Sequence, residues 1–206
     1  MADQIKPQTI EVSILKSVRA TRSASIFSAR DFVNLGSPVA VRKALERLTR
    51  RGDLRRVRRG FYDRHRSHPL IGQTAPDPMD LVRSVMKDSS AQWQVSGAYA
   101  ANVLHLSEQV PAKIVILTDG VPRRISLGKL TLDFRRVAPR HLLAAGKPAG
   151  LVIQAIRHLR PSGLTPEIIA RLGQQLDAAT KADLVDLAPR LAAWMRPIVQ
   201  RIVAPL

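Results

Sequence analysis

SPVAVRKALERLTRRGDLRRVRRGFY, residues Ser37–Tyr62, is the stretch that decides how this chain folds. Ser37-Pro38 is a helix start, because a serine hydroxyl caps a free backbone N–H and proline fits the first helical position. At 100° per residue, Val41, Ala44, Leu45 and Leu48 fall on one side and read as a core face. The opposite side carries Val39, Ala40, Lys43, Glu46, Arg47 and Arg50, with Arg42 and Arg51 on the flanks. After Gly52 the run DLRRVRRGFY suits a short two-stranded ribbon that turns at Gly60. Leu54, Val57, Phe61 and Tyr62 are its apolar anchors, and Arg55, Arg56, Arg58 and Arg59 have few acidic neighbours. Leu54 and Val57 are spaced by three, so strict alternation fails and the strand has room for a bulge.

Upstream, Ile10, Ile14, Leu15 and Val18 make one stripe of a helix over residues 9–20. Ser28 with Asp31 forms a capping box. Phe32, Val33 and Leu35 then give a helix of roughly two turns, ended by Gly36. A short helix, a tight break and a longer helix is the helix-turn-helix pattern, and the basic ribbon behind it reads as a wing.

Charge points to the same partner. The 206-residue chain has a formal net charge of +17, which calls for a polyanion. An arginine-favouring genome accounts for part of the excess but not for its clustering. Residues 42–66 hold eleven Lys or Arg against three Asp or Glu, a net of +8. Aromatic residues are only 4%, too few for the stacking platforms that hold single strands. Duplex DNA is therefore the expected partner, ahead of structured RNA. Base edges are read from the outward face of a helix in the major groove. Lys43 and Arg47, one turn apart and central, are the first candidates for base contacts. Val39 and Ala40 suit thymine methyls, and Arg50 and Arg51 suit phosphate. Ser37 and Arg42 complete the candidate recognition helix, and Arg55, Arg56, Arg58 and Arg59 the candidate wing. A charged helix face alone is often just a solvated surface; the basic ribbon beside it tilts the balance toward DNA.

The chain has no cysteine, which removes disulfides, iron–sulfur clusters and cysteine zinc sites. MADQIKPQ at the start lacks an apolar signal segment, and no stretch approaches the ~18 apolar residues of a membrane span. A cytoplasmic location, with no membrane partner and no cofactor, is expected.

The run L-x-R-L-x-R-R-G-x-L-R-R-V-R-R-G-x-Y, Leu45–Tyr62, resembles the N-terminal winged-helix domain of AbiEi-type antitoxins of type IV abortive-infection toxin–antitoxin systems. The resemblance continues in S-G-A-Y-A-A-N-x-L-x-L-S-x-Q-V-P-A-K-I-V-x-L-T-D-G, Ser96–Gly120, and covers Ile10 to Val137. It implies that the first domain binds an operator and represses its own operon. It also implies that the larger domain counters a nucleotidyltransferase-like toxin. No residue motif for toxin neutralisation carries over.

The stretch 64–78, RHRSHPLIGQTAPDP, has three prolines and no periodicity and reads as a linker. Its His65 and His68 lack a third metal ligand. Asp77-Pro78-Met79-Asp80 starts a helix whose inner face is Leu81, Val82, Val85 and Met86. Trp93 is expected to anchor the following turn. Ser96 caps a helix to about His105, with Tyr99, Ala100, Val103 and Leu104 inward. Its small residues suit close packing on a neighbour. KIVILT, Lys113–Thr118, reads as a buried strand, Leu130–Arg135 as a half-buried one, and Arg123–Ile125 as a third. Helices follow near Pro139–Ala145 and Leu151–Leu159, then from Thr165. Thr180 with Asp183 reads as a further capping box, and Leu184, Leu187, Leu191, Trp194, Met195 and Ile198 keep helical spacing.

No catalytic pattern stands out. Asp119 and Asp133 fall at strand positions, but the Glu-x-Lys of a metal-dependent nuclease does not follow. There is no phosphate-binding glycine loop or nucleophile elbow. The expectation is an α+β chain, not an enzyme: a winged helix-turn-helix over 1–64, a linker over 65–78, and a mainly helical domain with a small sheet over 79–206. Its expected role is a repressor and antitoxin. The alternative is a stand-alone transcription factor whose second domain dimerises or binds a ligand. Nothing in the sequence sets the oligomeric state.

Overall fold

The computed structural model describes residues 9–21, 26–64, 76–204 and the short pairs 67–68 and 72–73. The chain divides into two compact units, Met1–Asp88 and Ser89–Leu206.

In the first unit, helix α1 (Ile10–Ala20) leads to strand β1 (Phe27–Ser28) and a 3-10 segment, Ala29–Leu35, kinked at Phe32. Helix α2 is Pro38–Arg50. Strands β2 (Arg55–Arg58) and β3 (Phe61–Asp63) form the ribbon. The buried residues of α2 are Val41, Ala44, Leu45 and Leu48, the face that the 100° spacing marks out. They share a core with Ile14, Val18, Phe32, Leu54 and Tyr62. Burying each large apolar side chain contributes roughly 1.5–3 kcal/mol, so this shared core fixes how the helices and ribbon pack.

The ribbon carries the expected bulge. Arg56 pairs with Tyr62 and Arg58 with Phe61, so Val57 is the extra residue. Arg59 and Gly60 are left as the turn, and Gly60 takes φ +83°, a conformation that suits glycine. Strand β1 adds itself to β3, giving a three-stranded sheet of order β1-β3-β2. The first unit is thus a winged helix-turn-helix. The helix expected there is the 3-10 segment; its capping box is real, with the Ser28 N–H donating to the Asp31 carboxylate at 2.7 Å.

Two-residue strands β4 (Ser67–His68) and β5 (Gly72–Gln73) pair within the stretch read as a linker. A backbone ladder needs no side-chain periodicity, so the sequence gives no sign of it. The expectation on the His65/His68 pair falls outside the described residues. Helix α3 (Pro78–Met86) begins at Asp77, whose carboxylate accepts from the Met79 N–H at 2.8 Å. Just after it, Lys87 pairs with Asp31, and Asp88 with Arg30 at 3.4 Å. These pairs tie the end of α3 to the rest of the first unit, which runs to Asp88.

The second unit contains a mixed four-stranded sheet built from β6 (Trp93–Ser96), β7 (Lys113–Thr118), β8 (Arg123–Leu127) and β9 (Leu130–Arg136). Its order is β6-β7-β9-β8; β7 and β9 are parallel and the other pairings antiparallel. Trp93 therefore opens a strand rather than a turn. Helix α4 (Gly97–Val103) packs its Ala100 and Ala101 against Ala155 of helix α5 (Pro148–Leu159), the close approach that small residues permit. Val103, expected inward, is exposed, because the helix ends there.

Helices α6 (Pro166–Gln175), α7 (Ala178–Leu187) and α8 (Arg196–Val203) complete the unit. The α5–α8 core gathers Val152, Ile153, Leu172, Leu184, Met195 and Ile202. The start of α7 corrects the Thr180/Asp183 capping box. Asp177 is the cap, accepting from the Thr180 N–H at 2.8 Å, while Asp183 pairs with Lys147 at 3.1 Å. Among the described residues, no helix is long and apolar enough to cross a membrane.

Candidate nucleic-acid interface

The two halves of the candidate surface are positioned by one core. Burial of Leu45 and Leu48 turns Arg42, Lys43, Arg47 and Arg50 outward on α2. Burial of Leu54 and Tyr62 turns Arg56, Arg58 and Arg59 outward on the wing. Helix and wing meet in a groove of about 260 Å³ lined by Glu46, Thr49, Arg50, Arg56 and Tyr62. This brings Arg50 and Arg56 together across the junction.

The arginines fall into two sets. Arg42, Lys43, Arg50, Arg56, Arg58 and Arg59 have no acidic partner among the described residues and are exposed. The other three are engaged. Arg47 donates to Glu11 of α1 at 2.5 Å. Arg51 pairs with Asp53 at 2.9 Å. Arg55 makes a two-pronged contact with Asp63 on the neighbouring strand, at 2.9 and 2.5 Å, and its side chain is only 24% exposed. Asp63 is cross-strand from Arg55, a relation visible only once the bulged register is known. Of the wing arginines, expected to have few acidic neighbours, Arg55 has one and braces the wing through it.

The remaining candidates are placed plainly. Ser37 caps α2, its hydroxyl accepting from the Ala40 N–H at 3.3 Å, so its chemistry is used by the helix itself. Val39 is 53% exposed at the start of α2, and Ala40 is half-buried.

The Arg47–Glu11 pair is the feature that sequence reading missed. The two residues lie on different helices, and only the packing of α1 on α2 joins them. The hydrogen bond from Arg47 holds the Glu11 carboxyl below the usual carboxylate range. Glu11 is therefore charged at neutral pH, and the pair is lost as acid protonates it. At neutral pH the pair restrains Arg47, one of the two residues expected from sequence to contact bases. Glu11→Gln is expected to free Arg47 and raise duplex affinity by about three- to tenfold, through one more available cation. Fluorescence anisotropy at fixed salt checks this; unchanged or weaker binding would mean that Arg47 plays no part in the interface.

The acids weighed for catalysis are occupied otherwise. The Asp119 carboxylate accepts from the Gln92 N–H at 2.9 Å, and the Thr118 hydroxyl donates to the Gln92 carbonyl at 2.7 Å. Both fasten the turn after β7. Asp133 is ringed by Lys113 and Arg135, each at 2.9 Å, with Arg124 at 3.7 Å. Lys113 first, then Arg135, hold its carboxyl below the ordinary range. Such a carboxylate braces the sheet and has its charge already compensated. Among the described residues, no group of three or more His, Cys, Asp or Glu converges to hold a metal.

A family model described as a family of unknown function (DUF6088) matches residues 13–184. No match emerges among curated proteins. Among solved structures, the crystal structure of the RV2827C protein from Mycobacterium tuberculosis is similar over 96% of this chain and 76% of that one. The TM-score is 0.44 and the sequence identity 17%.

Proposed function

The chain belongs to the DUF6088 family, a family of unknown function, and from its own residues we propose that it is a sequence-specific, duplex-DNA-binding repressor. The observation that carries this reading is the set of six exposed cations, without an acidic partner among the described residues, divided between α2 and the wing of a winged helix-turn-helix. Lys43 and Arg47 read bases in the major groove, Val39 touches thymine methyls, and Arg50 and Arg51 lie along phosphate. Arg56, Arg58 and Arg59 clamp the backbone beside them. The first unit addresses the operator and the second carries the response.

The resemblance of Leu45–Tyr62 and Ser96–Gly120 to AbiEi-type antitoxins supports the finer reading. The repressor autoregulates a type IV toxin–antitoxin operon, and its second unit counters a nucleotidyltransferase-like toxin without chemistry of its own. Co-expression with the product of the adjacent gene tests this. Rescue of growth from a nucleotidyltransferase-like neighbour supports the antitoxin; an unrelated neighbour, or no rescue, leaves only the regulator.

The division of labour on the DNA face has its own test. Arg47→Ala is expected to weaken operator binding by about 1–3 kcal/mol while losing preference between operator and scrambled duplex, as removal of a base contact does. Competition binding measures it, and equal weakening on both duplexes would reassign Arg47 to phosphate.

A further inference from the structure

A second basic site lies in the C-terminal unit and shares no residue with the DNA-binding reading. Arg157 near the end of α5, Arg160 just beyond it, Pro161 and Trp194 line a cavity of about 350 Å³. One guanidinium nitrogen of Arg157, Nη1, is buried without any hydrogen-bond partner. Neither Arg157 nor Arg160 has a carboxylate partner among the described residues. The positive charge nearby is that of Arg157 and Arg140: after burial, these two push His141 down, toward its neutral form. Arg160 takes φ +57°, an unfavourable backbone conformation for a side-chain-bearing residue. Such strain persists where the surrounding structure imposes it, often at binding sites.

The C-terminal end of a helix attracts cations, and this alone accounts for arginines gathering at the end of α5. It does not account for the Arg157 Nη1, which is buried without a partner while the rest of the side chain is half-buried. A guanidinium stays charged at any accessible pH, and burial without a hydrogen bond is costly. Burial indeed pulls the Arg157 guanidinium down from its usual value. A ligand that supplies anionic oxygens to the accessible part of the Arg157 guanidinium and to Arg160 offsets the cost, and a guanidinium fork matches phosphate geometry. The fourth wall is aromatic. Trp194 is 37% exposed beside these cations, in the 3-10 turn Ala193–Met195. An exposed indole next to two guanidinium groups offers a stacking face for a planar ring. The volume is at the small end of the ~300–1,000 Å³ usual for ligand pockets, room for one mononucleotide-sized molecule.

We propose that this pocket is a nucleotide site, in which Arg157 and Arg160 hold a phosphate group and Trp194 stacks on the base. The shared chemistry, a phosphate next to a planar base, belongs equally to a free mononucleotide and to the phosphorylated end of a strand. The site stands independently of the winged-helix reading, because none of its residues is part of that face.

Isothermal titration calorimetry on the full chain tests it, with AMP, GMP, adenosine, inorganic phosphate, and a trinucleotide with and without a 5′-phosphate. A monophosphate should bind one per chain, at least tenfold more tightly than adenosine or inorganic phosphate. Arg157→Gln should weaken it at least tenfold, and Arg160→Gln, at an exposed position, several-fold with the melting temperature kept. Trp194→Leu should abolish the advantage of AMP over inorganic phosphate. A 5′-phosphorylated trinucleotide that outbinds AMP makes a strand end the source, and the reverse makes it a free nucleotide. The proposal is overturned if no phosphate-bearing probe binds at millimolar concentration, or if both arginine variants bind as the unaltered chain does. It is also overturned if an acidic peptide occupies the pocket while nucleotides do not.

Discussion

Replacing Arg56, Arg58 and Arg59 together with alanine is expected to weaken binding to every duplex by roughly 10²–10³-fold, since each loses a charge-assisted contact of about 1.5 kcal/mol or less. All three are exposed and lack acidic partners among the described residues, so their removal leaves no buried charge behind. The apolar anchors Leu54 and Tyr62 and the Arg55–Asp63 brace are untouched, and the wing should keep its shape. The loss should therefore be one of phosphate contacts. With Arg50, Arg51, Arg56, Arg58 and Arg59 on phosphate, log K falls against log salt with a slope of about −4.5; with three removed the slope should flatten to about −2. Operator and scrambled duplex should suffer alike. Titrations at several salt concentrations check this, and an unchanged slope would mean that the wing does not touch the backbone.

The second large effect concerns stability. Gly150→Ala in α5 should destabilise the second unit by roughly 3 kcal/mol or more, because the added carbon meets a backbone that cannot yield. A Cβ built at Gly150 lies 2.2 Å from the Ala144 carbonyl oxygen and 3.0 Å from the Gln94 side-chain oxygen. Both groups are committed. The Ala144 carbonyl accepts from the Lys147 N–H at 3.0 Å, and Gln94 accepts from the Gly146 N–H at 2.9 Å. The turn before α5 is thus folded down onto the one helical position without a side chain. Thermal unfolding should fall by about 10 °C for this variant. Gly60→Ala is the contrast: nothing lies within 4 Å of a Cβ there, so only the positive φ is strained, at about 1 kcal/mol. Equal shifts for the two variants would contradict the close-approach argument.

What could be read in the sequence follows the range of the interaction that fixes each feature. Helix α2 was legible because its core face, its Ser-Pro start and its outward cations all lie within fourteen residues and obey one period. The Val57 bulge was legible for the same reason, as a break in alternation. Strands β1 and β6 were not, since two to four residues carry too little period and are fixed by pairing with distant partners. The Arg47–Glu11 pair and the Arg55–Asp63 brace depend on helix packing and on a register shifted by the bulge. They separate the candidate arginines into engaged and free sets that sequence alone shows as alike. At α7 the cap is Asp177, while Thr180, expected to cap, packs inward. The basic cavity at Trp194 was invisible because Arg157 and Arg160 looked like ordinary solvated cations at a helix end, and its aromatic wall comes from thirty-odd residues further along.

The most direct measurement of the central claim is competition binding of the full chain at physiological salt. The competitors are the duplex from upstream of its own gene, an unrelated duplex of equal length, and a structured RNA. The account predicts that the upstream duplex is preferred over the unrelated one by about 10³-fold or more, the margin typical of specific recognition, with RNA behind both. Equal affinity for the two duplexes, or a preference for the RNA, would contradict it.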